Sequence, residues 1–201
     1  MGKVTFDMSV SLDGFITGPG DGVEAPLGRG GERLHEWVYD LKSWRGRHGL
    51  PGGATGTDAD VLEEAFATTG AVLMGRRMFD LGEGPWGDDP PFHNPVFVLT
   101  HEAREPLAKA GGTSFTFVTD GIESALEQAR GAAGDADISI AGGANVVQQY
   151  LEAGLVDEFQ LHLAPVLMGD GIRLFGRPVE LERSRVIDSP GVTHLRFGVA
   201  S

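Results

Sequence analysis

Near the start of the chain apolar and polar residues alternate, with Val4, Phe6, Met8 and Val10 set against Thr5, Asp7 and Ser9. A period of two is that of a strand with one buried face, which predicts a strand over residues 3–10 and a turn at Asp13-Gly14. A Gly/Pro-rich loop follows over residues 17–31. Leu34, Trp37, Val38, Leu41 and Trp44 then recur at helical spacing and predict an amphipathic helix over residues 32–44. After a second glycine-rich break, Val61, Leu62, Ala65 and Phe66 mark another helix, with Thr57 or Asp58 as its expected N-cap.

The rhythm then changes. Short, wholly apolar runs at residues 71–74, 96–99, 115–118 and 138–140 alternate with helical patterns. One helix carries Ile122, Ala125, Leu126 and Ala129, with Asp120 as its expected cap, and another carries Val146, Val147, Tyr150 and Leu151. Strands without alternation suit a sheet covered on both faces, and interleaved helices imply parallel crossovers. Residues 158–163, 179–188 and 193–199 read as longer strands joined by turns at 169–171 and 190–191, an antiparallel addition to the same sheet. With no repeat or linker, a single domain over residues 1–201 is the expectation.

Composition narrows the function. Lys and Arg number 16 against 29 Asp and Glu, a formal charge of −13. That disfavours a sequence-independent nucleic-acid binder, which needs cations to displace counterions from phosphates. With no cysteine, disulfides, thiolate metal sites and cysteine catalysis are excluded. No apolar run approaches the roughly 18 residues of a membrane span and no signal core opens the chain, so a cytoplasmic protein with no membrane partner is expected. Glycine, at 31 residues, is about twice its usual share of 7%.

Three of the central strands end in residues suited to anions. Gly75-Arg76-Arg77 puts two guanidinium groups where a helix should begin, as phosphate ligands or as surface charges after a tight turn. Thr100-His101 could hold a phosphate or ribose edge, or simply end a strand. Gly142-Gly143-Ala144-Asn145 lets a pyrophosphate approach the backbone, or is a tight turn. In an open α/β sheet ligands bind beyond the carboxyl ends of the strands, so the joint placement points to an extended phosphorylated ligand. The sequence contains no G-x-G-x-x-G, Walker, G-x-S-x-G or H-E-x-x-H motif, and its six histidines lack metal-ligand spacing. Trp37 and Trp44 are first of all core residues, with bordering a flat substrate as the alternative.

Residues 11–16 (SLDGFI), 72–77 (VLMGRR), the Gly142-Gly143-Ala144 turn and the run 165–175 (PVLMGDGIRLF) resemble the dihydrofolate reductase-like superfamily. The resemblance is nearest to the C-terminal reductase domain of the bifunctional riboflavin-biosynthesis enzyme and its stand-alone relatives. It implies a three-layer α/β/α fold with a mixed, mostly parallel central sheet and antiparallel C-terminal strands, NADPH as cofactor, and a homodimer. It also implies that Gly75, Arg76 and Arg77 grip cofactor phosphates, that Thr100 and His101 lie by the adenosine ribose phosphate, and that Gly142, Gly143, Ala144 and Asn145 hold the pyrophosphate. The segment from Val10 through Ile16 would pass the nicotinamide. Where the family often has Thr after the basic pair, this chain has Met78. Folate reductase carries a carboxylate on its first helix; Glu32, Glu36 and Asp40 lie on the corresponding predicted helix. The zinc deaminase signature of the bifunctional enzyme is absent.

The expected function is therefore NADPH-dependent reduction of a flat pyrimidine- or pterin-like small molecule. For the riboflavin-type reaction, hydride would reach the ribose C1′ of a phosphoribosylaminouracil. Asp13 is the candidate catalytic residue, orienting substrate or water, or else a turn-forming Asp before Gly. The alternatives are a non-catalytic dinucleotide-binding dimeric module and a reductase of another small carbonyl or imine compound.

Overall fold

The computed structural model describes residues 2–200. In chain order its strands are β1 (Val4–Ser11), β2 (Phe15–Thr17), β3 (Thr69–Gly75), β4 (Pro95–Leu99), β5 (Leu107–Ala108), β6 (Ser114–Val118), β7 (Asp137–Gly142), β8 (Glu158–Ala164), β9 (Ile172–Arg173), β10 (Leu181–Ser189) and β11 (Val192–Val199). The helices are α1 (Lys42–Arg47), α2 (Thr57–Thr68), α3 (Arg76–Trp86), α4 (Ile122–Ala133) and α5 (Ala144–Glu152). Nine strands form one sheet in the order β10-β11-β8-β1-β7-β3-β4-β6-β5, and β2 pairs with β9 apart from it.

The centre of the sheet is parallel, from β8 through β1, β7, β3 and β4 to β6. β11 joins β8 antiparallel and β10 joins β11 antiparallel, as the longer alternating patterns near the C-terminus imply. β3 shows why its sequence is apolar throughout. Ala71 and Leu73 pack with Ala125, Leu126, Val147 and Tyr150 of α4 and α5, whereas Val72 and Met74 pack with Phe79 of α3. Successive side chains point to opposite faces, so a strand covered on both sides needs an apolar residue at every position.

Three local expectations are corrected. The helix over residues 32–44 is instead a 3-10 turn at Gly31–Leu34, a series of tight turns, and the short α1. Leu34, Val38 and Leu41 are buried as the periodicity demands, but successive i→i−3 bonds, from His35 N–H to Glu32 O, Val38 N–H to His35 O and Leu41 N–H to Val38 O, keep a similar spacing without α-helix. A bridge from Leu41 to Ala54 breaks the segment just before α1. The other two corrections are helix caps. Gly56 and Gly121, not Thr57 or Asp58 and not Asp120, precede α2 and α4, with no side-chain cap. The Asp58 carboxylate instead accepts hydrogen bonds from Ser189 and His194, on the antiparallel strands.

Candidate active site

β3 and β7 each end in glycine and turn at once into a helix. A methyl group on Gly75 would lie 2.9 Å from Val146 Cγ2 of α5 and 3.5 Å from Gly143 N, so the two strand ends touch. Gly142 has φ +136°, and a methyl there would meet Met78 Sδ at 3.0 Å and Met8 Cε at 3.5 Å; only glycine adopts that backbone without strain. The Gly142-Gly143 peptide bond is cis. Neither α3 nor α5 has a side-chain cap, which leaves first-turn N–H groups at both helix starts for a ligand or solvent.

Around these turns lies a cavity of about 1130 Å³. Its wall brings together Gly75, Arg76, Arg77, Thr100, His101, Gly142, Gly143, Ala144, Asn145 and Ile16. Arg76 is aimed by its neighbours: Nε donates to Asp80 Oδ1 at 2.7 Å, and Nη1 to Thr100 Oγ1 at 3.4 Å. Arg77 differs. Its Nε and Nη2 donate to Asp21 Oδ2 and to Asp21 O, both at 2.8 Å, so one edge of its guanidinium clasps the Gly/Pro loop onto α3. The Asp21 carboxylate holds its pKa above the usual guanidinium value. Arg77 therefore meets a cavity ligand only with the edge that Asp21 leaves.

Two expected site residues lie elsewhere. Val10 is not on the cavity wall but buried. Asp13 is also off the wall, and its carboxylate accepts from Ser11 Oγ at 2.6 Å, Met168 N at 3.0 Å and Gly169 N at 2.7 Å. The Ser11 hydroxyl and these two amides pull its pKa down to about 2, as expected of a carboxylate serving several donors. The geometry makes Asp13 the anchor of the loop after β8, its carboxylate engaged by that loop's amides.

The other half of the cavity is aromatic, bordered by Trp37, Trp44, Phe66, Trp86 and Phe92. Trp37 Nε1 donates to Ser9 Oγ at 3.0 Å, and Trp44 lies against the His48 ring with centroids 4.4 Å apart. Arg47 crosses the Phe66 ring at 4.4 Å and donates to Phe92 O at 3.0 Å; burial lowers its pKa. His35 also lines this half, and burial, aided by the nearby His162, pushes it down to about 4, so it is neutral near pH 7.

Glu32, Glu36 and Asp40 are absent from the wall; the acid beside the aromatic half is Asp7, in the middle of β1. Asp7 and the histidines near it were missed because the polar positions of β1 read as a solvent face. The only sequence signal was the uninterrupted polar row of Thr5, Asp7, Ser9 and Ser11. Among the described residues no group of three or more His, Cys, Asp or Glu side chains could hold a metal ion, and no helix is long and apolar enough to cross a membrane. The arrangement combines a rim of arginines and uncapped helix starts with a largely apolar chamber, large enough for an extended ligand and a second flat molecule beside it.

Comparison with known proteins agrees with this architecture. The model of the family described as the RibD C-terminal domain matches residues 2–193. Uncharacterized protein YyaP of Bacillus subtilis strain 168 is 25% identical over 184 residues, covering 86% of this chain and 80% of its own. The crystal structure of a putative riboflavin biosynthesis protein from Shewanella sp. PV-4 superposes with a TM-score of 0.69 at 20% identity, over 99% of both chains. Dihydrofolate reductase from Enterococcus faecalis, complexed with NADP(H), superposes with a TM-score of 0.57 at 14% identity, over 100% of this chain and 98% of its own.

Proposed function

The chain belongs to the RibD C-terminal domain family, and on that footing we propose that it is an NADPH-dependent reductase of the riboflavin-biosynthesis type. The single observation that carries this reading is that Gly75, Arg76, Thr100 and the Gly142–Asn145 turn share one cavity with an aromatic chamber. The residues fit a dinucleotide: open space lies over Gly143, where a methyl would meet nothing within 4 Å, and the adjoining helix starts are uncapped.

In this reading the N–H groups at the start of α5 bind the pyrophosphate. Arg76, held in place by Asp80 and backed by Thr100, takes the ribose phosphate that distinguishes NADPH from NADH, with His101 at the rim. When bound, the cofactor supplies the hydride. The aromatic chamber orients a flat pyrimidine- or pterin-like substrate and excludes water, which is most of what such a transfer requires of the protein. The substrate class proposed is a 5-amino-6-(5-phosphoribosylamino)uracil. A reductase of another small carbonyl or imine compound is the second reading, favoured by one feature: Arg47, the chamber's arginine, is already engaged by Phe66 and Phe92.

Titration of the protein with NADPH and with NADH tests the proposal. NADPH is expected to bind more tightly, and Arg76→Gln to weaken NADPH by about 10- to 100-fold, the value of one or two charge-assisted hydrogen bonds, with little effect on NADH. Equal affinity for both dinucleotides, unchanged in the variant, would overturn it.

A further inference from the structure

One face of the sheet carries polar residues where three strands meet the cavity. Strand register sets Asp7 beside Gln160 and Ser9 beside His162 on β1 and β8, and His194 of β11 beside His162. The two histidines are almost wholly enclosed, with side-chain exposures of 4% for His162 and 1% for His194. Trp37 covers both, its ring centroid 4.5 Å from that of His162 and 5.1 Å from that of His194.

Their contacts form a chain. His162 Nε2 stands 3.4 Å from Asp7 Oδ1. His162 Nδ1 and His194 Nδ1 are 2.7 Å apart, and His194 Nε2 is 3.0 Å from Asp58 Oδ1, which also accepts the Ser189 hydroxyl. Counting protons is decisive here. An imidazole pair can share an Nδ1···Nδ1 hydrogen bond only if one of the two atoms is protonated and the other is not. His194 donates from Nε2 to Asp58, so in its neutral form its Nδ1 is the acceptor and His162 Nδ1 is the donor. That leaves His162 Nε2 facing the Asp7 carboxylate, a repulsive contact unless a third proton lies between them.

Gln160 determines where that proton can go. Its Oε1 accepts from Arg185 Nη2 at 2.8 Å, so its amide nitrogen donates to Asp7 Oδ1, also at 2.8 Å. Oδ1 is thereby an acceptor, from Gln160 and from a proton on His162 Nε2, and Asp7 and His162 both line the cavity. The other charged groups around the pair are one carboxylate, two guanidiniums and a neutral imidazole. From α2, Glu64 is paired with Arg185 of β10 at 2.7 Å and Arg196 of β11 at 2.8 Å, and His35 is neutral near pH 7. Burial lowers the pKa of His194 despite Asp58, which keeps the extra proton at the Asp7 end.

We propose that Asp7, His162, His194 and Asp58 form a buried proton store that opens into the cavity through the Asp7 carboxylate and protonates the substrate during reduction. The proposal rests on the reductase reading. The carbon of a C=N or C=O group takes a hydride, with its two electrons, from the reduced nicotinamide dinucleotide. The C=X electron pair moves onto the heteroatom, which takes the proton that Asp7 draws from His162 Nε2; His162 is left neutral and Asp7 ionised, and a proton from water restores the chain. Asp7 is the catalytic residue; His162, His194 and Asp58 are positioning residues.

The test begins with nitrogen-15 histidine NMR on the ligand-free protein at pH 7. The expected result is His162 protonated on both nitrogens and His194 on Nε2 alone, with Asp7→Asn removing one proton from His162. In parallel, Asp7→Asn should bind NADPH within twofold of wild type. Its turnover of 5-amino-6-(5-phosphoribosylamino)uracil should fall by roughly 10²- to 10⁴-fold, the usual contribution of general acid catalysis, mainly in kcat. His162→Gln, as a second variant, should lower kcat in the same direction. Two neutral rings together with an ionised Asp7 carboxylate, read from its carbon-13 shift, in a wild-type chain that binds NADPH would overturn the relay alone. A wild-type chain that binds no NADPH would remove the reductase reading, and with it the use of the stored proton.

Discussion

Replacing Gly143 and Gly142 separately by alanine should have opposite consequences, because their surroundings differ at adjacent positions. At Gly143 the backbone is extended, φ −81° and ψ −170°, and an added methyl would meet nothing within 4 Å. Folding stability should be unchanged or rise by about 0.4–1 kcal/mol, since alanine has fewer unfolded conformations to lose. The methyl would, however, occupy the space through which a pyrophosphate reaches the start of α5. Losing one charge-assisted hydrogen bond there costs about 1.5–3 kcal/mol, or roughly 10- to 150-fold in NADPH affinity. At Gly142, φ is +136° and the methyl would press on Met78 Sδ at 3.0 Å. Backbone strain of about 1–3 kcal/mol is then expected, lowering Tm by about 2–12 °C at this chain length. Thermal unfolding and NADPH titration of both variants measure the two effects independently. If Gly143→Ala binds NADPH like wild type, or loses as much stability as Gly142→Ala, the placement of the dinucleotide over Gly143 is refuted.

Acid should destabilise the protein through His35. Its folded pKa of about 4 lies below the ordinary 6.5, so the unfolded chain binds more protons between these values and stability is lost as pH falls from 6.5 towards 4, by an amount on the order of 3 kcal/mol. His35→Gln should flatten that part of a denaturation-versus-pH profile, and an unchanged profile would refute the assignment. Asp13→Ala should speed amide hydrogen exchange at Met168 and Gly169, which donate to its carboxylate, while leaving NADPH affinity within about threefold; unchanged exchange would remove the anchoring role.

The order of buried strands and crossover helices was legible in the chain because a sheet covered on both faces imposes apolar residues at every strand position, a local demand met at residues 71–74 and 138–140. The glycine turns at the cavity were legible for a similar reason: a strand ending in glycine before a helix carries its geometry in a few consecutive residues, as at Gly75 and Gly142-Gly143. The 32–44 segment was not, since turns with i→i−3 bonds and an α-helix bury nearly the same positions, and the Leu41–Ala54 bridge that selects between them joins separate segments. Nor could local pattern show that one edge of the Arg77 guanidinium is held by Asp21, or that Asp58 accepts from Ser189 and His194. Asp7, His162 and His194 are far apart in sequence and unremarkable one by one; strand register across β1, β8 and β11 makes them neighbours. What the amino-acid sequence determined alone is the order of the buried strands and crossover helices and the glycine turns at their ends. Which polar groups face one another across the sheet, and so where a proton can be held, was decided only by tertiary pairing, because hydrogen-bond partners are chosen by distance in space.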